Sequence, residues 1–130
     1  MAIFYKRVER GKPGVAGSPK RFYPLLKSTG MVREREVAKQ LADETTLNPK
    51  EAEMAISQTF KVISNLLLNG KTVQIGDLGS FRLTATTEGS DTMQEVTAAK
   101  IKKLNVRFTE SAELKNAMKK AKFVDASTMS

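Results

Sequence analysis

The sequence predicts an α+β fold: an N-terminal strand-rich extension, a helical hairpin, a three-stranded antiparallel sheet and a short C-terminal helix. Three observations predict it. Apolar residues recur at helical spacing over residues 32–44 and 49–69, they alternate at strand spacing over residues 71–75 and 80–86, and clusters rich in Gly or Pro separate the periodic stretches. A length of 130 residues suits one domain, and 40% hydrophobic content supplies a core without metals or disulfides.

Residues 3–10 mix aromatic and branched side chains with charges and read as a strand. Gly11, Pro13, Gly14, Gly17 and Pro19 then give loop chemistry over residues 11–19. Residues 20–27 form a second extended piece, and Pro24, which cannot donate to a ladder, places it at a sheet edge. The other reading of this piece is a basic arm that orders only on a partner.

Ser28 or Thr29 can cap a helix over residues 32–44, with Val37, Ala38, Leu41 and Ala42 on one stripe and Arg33, Arg35 and Lys39 facing out. The second helix start is better marked. Asn48 offers an N-cap, Pro49 the preset first position and Glu51 a carboxylate to return the bond. This helix continues through Ala52, Ala55, Ile56, Phe60, Ile63, Leu66 and Leu67 to Gly70, which accepts the left-handed conformation that ends helices. Met54, Val62 and Leu68 widen its apolar side beyond what one short partner helix covers. A second protomer is therefore expected as a lid, with Met54, Phe60, Val62, Ile63, Leu66 and Leu68 in the interface.

Residues 71–75 alternate as a half-buried strand, and Gly76, Asp77, Leu78 and Gly79 turn the chain into residues 80–86. Phe81, Leu83 and Ala85 share one face there, leaving Arg82, Thr84 and Thr86 on the other. After a polar link at residues 88–95, a third strand over residues 96–108 directs Leu104, Val106 and Phe108 inward and Lys103, Asn105 and Arg107 outward. The last helix, capped by Thr109 or Ser111, runs to about Ala121, with Leu114, Ala117 and Met118 apolar and Lys115, Lys119, Lys120 and Lys122 exposed.

The net charge of +8 comes from 22 basic and 14 acidic residues, which favours a polyanionic partner. It is unevenly spread. Residues 1–39 carry ten Lys or Arg against three acids, residues 40–95 four against eight, and residues 96–122 eight against two. Two basic segments thus flank an acidic scaffold, the pattern of a binding face more than of a solvated surface.

No Cys and no His are present, which removes disulfides, thiolate metal sites, cysteine nucleophiles and the commonest general base. The phosphate-loop pattern GxxxxGK[ST] is absent, and no carboxylate set stands with a base. We expect no catalytic residue, metal site, cofactor or small-molecule substrate. The first residues lack the apolar stretch of a secretory signal, and no apolar run approaches the roughly 20 residues of a membrane span. The expectation is a soluble cytoplasmic protein with no membrane partner.

Residues 67–81 (LLNGKTVQIGDLGSF) and residues 105–108 (NVRF) leading into residues 111–115 (SAELK) resemble, in this order and spacing, the bacterial HU and integration host factor family. The resemblance covers residues 29–122. It implies an HU-like fold in which the second hairpin projects as a β-arm, and an intertwined dimer, either a homodimer or a heterodimer. It also implies double-stranded DNA as partner, bound with little sequence specificity to organise or shape the nucleoid. Residues 1–28 make the chain resemble a longer, histone-like variant of the Bacteroidetes type, and residues 123–130 are left as a tail. At the arm tip the family usually carries an Arg-Asn-Pro turn whose Pro wedges between bases; residues 88–95 contain neither Arg nor Pro.

Lys and Arg bind duplex DNA by displacing condensed counterions from phosphates. On the resemblance, Arg82, Lys100, Lys102, Lys103 and Arg107 are the leading candidates, because they lie on or beside the arm strands. Lys119 and Lys120 follow, although positive charge at a helix C-terminus is also explained by the dipole. Arg7, Arg10, Lys20 and Arg21, with Lys6 and Lys12, offer a third set in the extension, whose strands could equally serve only to enlarge a sheet. Phe4, Tyr5, Phe22 and Tyr23 are better read as packing residues than as base-stacking ones. Met93 is an apolar residue at the tip, where a wedge is one reading and an incidental exposed side chain the other. The rival function is a protein-interaction or structural module of the same fold with weakened or lost DNA binding.

Overall fold

The computed structural model describes residues 2–11, 17 and 19–126. The chain forms two compact units. One spans residues 33–116; the other is built from residues 1–32 and 117–130, the two ends of the chain.

In the central unit, helix α1 (Glu34–Glu44) precedes helix α2 (Pro49–Leu68), and strands β3 (Val73–Ile75), β4 (Gly79–Thr87) and β5 (Ile101–Glu110) follow. Strands β1 (Ala2–Arg10), β2 (Arg21–Lys27) and β6 (Lys122–Asp125) belong to the terminal unit, and helix α3 (Ala112–Lys119) leads from one unit to the other.

The first helix starts later than its sequence pattern suggests. Arg33 is its N-cap and no side chain caps it; the Ser28 hydroxyl instead closes a local turn on Gly30. Glu34 and Glu36 in the first turn compensate by favouring the positive end of the helix dipole. The second helix starts where local chemistry directs. Asn48 accepts from the Glu51 backbone N–H at 2.8 Å, and its side-chain amide donates to the Glu51 carboxylate. At the far end Gly70, at φ +82°, donates to Leu67 and Lys71 donates to Leu66, which satisfies two carbonyls of the last turn. Where α1 packs on α2, Ala38 and Ala52 are both buried.

Strands β3, β4 and β5 form an antiparallel sheet in that order. Only Gly79, Ser80 and Phe81 of β4 face β3, so from Arg82 onward β4 and β5 continue as a two-stranded ribbon. The third strand begins at Ile101, not at residue 96. The ladder closes with Glu88 donating to the Lys100 carbonyl, after an irregularity that leaves Lys102 without a facing residue. With no strand residue opposite them, Met93–Glu95 and Ala98–Lys100 coil into 3₁₀ turns. Thr109 lies inside β5, so Ser111 is the cap of α3: its hydroxyl accepts from Leu114 at 3.0 Å and donates to the Asp77 carbonyl. The helix stops at Lys119, two residues before the expected end.

The terminal unit has strand order β2–β1–β6, with β1 antiparallel to β2 and parallel to β6. Pro24 does sit in an edge strand. Residues 122–125, which include the start of the predicted tail, are a strand held against β1, and Ala126 donates to the Tyr5 carbonyl at 2.8 Å. The loop over residues 11–19, and Lys12 with it, lies mostly outside the described residues.

Among the described residues the buried apolar side chains are Ala38, Ala52, Leu67, Val73 and Ala126, all small or medium in size. The large apolar residues of α2 are not covered: Met54 is 67% exposed, Phe60 60% and Leu68 71%.

Candidate nucleic-acid interface

The ribbon sorts its side chains by face. Directly paired residues of antiparallel strands point to the same side. Phe81 with Phe108, Leu83 with Val106 and Ala85 with Leu104 make an apolar face, anchored by the two phenyl rings at 5.0 Å between centroids. Arg82 with Arg107, Thr84 with Asn105 and Thr86 with Lys103 make the opposite, polar face. Asn105 donates to the Thr86 hydroxyl at 3.1 Å, which ties the strands together on that side.

The register places Arg82 directly across from Arg107. Cross-strand partners stand about 5 Å apart at Cβ, and like charges so placed destabilise a sheet. An anion between two guanidinium groups converts that repulsion into two charge-assisted hydrogen bonds. Arg82, Lys103 and Arg107 therefore form one positive stripe along the ribbon.

Lys100 and Lys102 do not join it in the same way. Both are turned to Glu88 at the end of the ribbon, with N–O distances of 4.0 and 3.0 Å. Lys119 closes α3 and Lys120 follows it, both exposed. In the extension, Arg10 pairs directly with Arg21, whereas Arg7 lies on the other face of that sheet, 2.9 Å from Asp125. Lys20 is exposed just before β2.

The residues expected at a protomer interface lie along α2. Met54, Phe60, Val62, Leu66 and Leu68 are exposed and Ile63 half-buried, and a groove of about 370 Å³ runs beside them, lined by Ala55, Thr59, Val62, Ile63, Leu66 and Ile75 among others. Sequence reasoning missed two cations, Lys27 and Lys122, as partners of the extension's set. Their alternation with Leu25 and Val124 carried the signal, but only the strand register brings them together. Glu88 was read as a phosphate-repelling tip residue; its grip on Lys100 and Lys102 also depends on register.

Among the described residues no group of three or more His, Cys, Asp or Glu could hold a metal ion, and no helix is long and apolar enough to cross a membrane.

Comparison with known proteins agrees with this architecture. No curated protein has a matching sequence. Among solved structures, a candidate bacterial DNA-binding protein from Bacteroides vulgatus ATCC 8482 superposes with a TM-score of 0.64 at 16% identity, covering 95% of this chain and 48% of its own. The chain thus spans about half the length of that protein. The Anabaena HU–DNA cocrystal structure gives 0.54 at 13% identity, over 67% of this chain and 97% of its own. At these identities the likeness is one of fold. The sequence itself matches over residues 1–124 the model of the HU-HIG family, described as an HU domain fused to a winged helix-turn-helix, Ig or glycine-rich motif, and the chain belongs to that family.

Proposed function

We propose that the chain is a nonenzymatic, architectural DNA-binding protein that grips duplex DNA through its phosphates, with little sequence preference, as a dimer within the nucleoid. The carrying observation is the opposed pair of Arg82 and Arg107 on the polar face of the ribbon, extended by Lys103. Such a stripe meets a run of phosphates without reading base edges. Family membership supports the same reading, and so does the DNA named with the Anabaena structure.

Dimerisation is the second part of the proposal. The apolar face of the ribbon and the long apolar side of α2 lack cover within the described residues, since Phe60, Leu104 and Val106 are all exposed. A second copy laid on these faces would supply the large buried side chains that one copy lacks. Titration of random-sequence duplex DNA over a series of salt concentrations tests the function. Log affinity should fall linearly with log salt, by about 0.9 per phosphate contacted. A flat response would overturn the phosphate mechanism.

A further inference from the structure

We infer that the sheet of the terminal unit carries a second binding face for the nucleic-acid backbone, formed by Lys6, Arg10, Arg21, Lys27 and Lys122. The inference rests on the proposed DNA-binding function and adds a site to it.

The register assigns these residues. Arg10 pairs with Arg21, Lys6 with Leu25, Phe4 with Lys27 and Ala2 with Lys122, so all five cations project from one side of the β2–β1–β6 sheet. That side holds no carboxylate: its other members are Ala2, Phe4, Val8, Tyr23, Leu25 and Val124. All five cations are exposed, and none takes part in a salt bridge among the described residues. The reverse side is chemically different. It carries Glu9, the Arg7–Asp125 ion pair and an aromatic hollow between Tyr5, Phe22, Leu26 and Phe123.

Sheets built only to support a fold have no reason to sort charge by face, and opposing two arginines costs stability in the free protein. Here Arg10 and Arg21 repeat the arrangement of Arg82 and Arg107 in a second, separate sheet. A polyanion with regularly spaced charges is the ligand that relieves both pairs. The phosphate backbone of DNA is such a ligand, already indicated for the ribbon, and contact with it needs no base recognition.

The test uses the full chain and a random-sequence duplex. Changing Arg10 and Arg21 together to Gln should weaken binding and reduce the salt slope by about 2, from two lost phosphate contacts. Arg21→Glu is sharper, because it replaces the opposed like charges by an opposed ion pair. Its affinity should fall while its melting temperature holds or rises. An Arg82→Gln and Arg107→Gln variant is measured beside them. If the ribbon variant loses slope and both sheet variants keep the wild-type affinity and slope, the second face is overturned and the DNA-binding function stands. If the unaltered chain fails to bind the duplex, the function itself falls and this inference with it. Affinity lost only in step with a lowered melting temperature also overturns the face, since the residues would then act through the fold.

Discussion

At Arg107 the free and bound states make opposite demands. Alone, the guanidinium repels Arg82 across the ladder; with a phosphate between them, both gain a charge-assisted partner. Arg107→Thr should therefore stabilise the free protein by up to about 1 kcal/mol in a denaturant titration while weakening duplex binding. Unchanged affinity in that variant would remove Arg107 from the interface. Gly79 shows a different constraint. It sits at φ +152°, and an added Cβ would lie 2.3 Å from the Thr109 carbonyl oxygen and 2.7 Å from the Phe108 ring. Neither the backbone nor a phenyl packed on Phe81 can yield cheaply, so Gly79→Ala should destabilise the chain by about 2–4 kcal/mol. Thermal denaturation beside Gly89→Ala, where the added atom meets open space, checks this. That residues 76–79 turn the chain was readable from their spacing; the close approach of β5 was not, because it comes from a strand some thirty residues further on.

Among the elements, α2 was legible at both ends because its signals are local. Asn48, Pro49 and Glu51 start it and Gly70 ends it, each acting on residues within a turn. Asn48→Ala should accordingly lower stability by about 1 kcal/mol. The start of β5 and the existence of β6 were not legible, since both depend on what lies opposite. Residues 96–100 alternate well enough for a strand but face none, and the four residues of β6 are extended only because β1 pairs with them. The same distinction governs the binding residues: the outward alternation of Lys103 and Arg107 was readable, whereas the opposition of each Arg pair and the grip of Glu88 required the register. The apolar excess of α2 was visible as composition and persists as exposed surface. Phe60→Asp should abolish the proposed dimer and with it the fold, because obligate dimers often lack a stable single subunit. Light scattering that finds a folded wild-type monomer at micromolar concentration would refute the dimer.

On the scale of the whole molecule, positive charge is placed on the ribbon's polar face and on one side of the terminal sheet, while the ribbon's end is acidic. Glu88, Asp91 and Glu95 lie there, and Glu88 also draws Lys100 and Lys102 toward itself. A tip of this kind is repelled by the phosphates that flank a minor groove, so DNA would be held by the body of the ribbon through Arg82, Lys103 and Arg107. Unstacking a base step costs roughly a few kcal/mol, which an inserted apolar wedge normally offsets. The tip has no Pro. Met93 is 85% exposed, but it stands in a short 3₁₀ turn between Asp91 and Glu95. Smooth bending then remains, driven by phosphate contacts and opposed by the stiffness of the duplex. We predict that this protein bends DNA less sharply than a relative with Pro at the tip, and stimulates ring closure of short fragments correspondingly less. Stimulation equal to that of a Pro-bearing relative would refute this. Met93→Pro alone should change little, because the carboxylates beside it still keep the tip out of the groove; with Asp91 and Glu95 also changed to Asn and Gln, ring closure should rise.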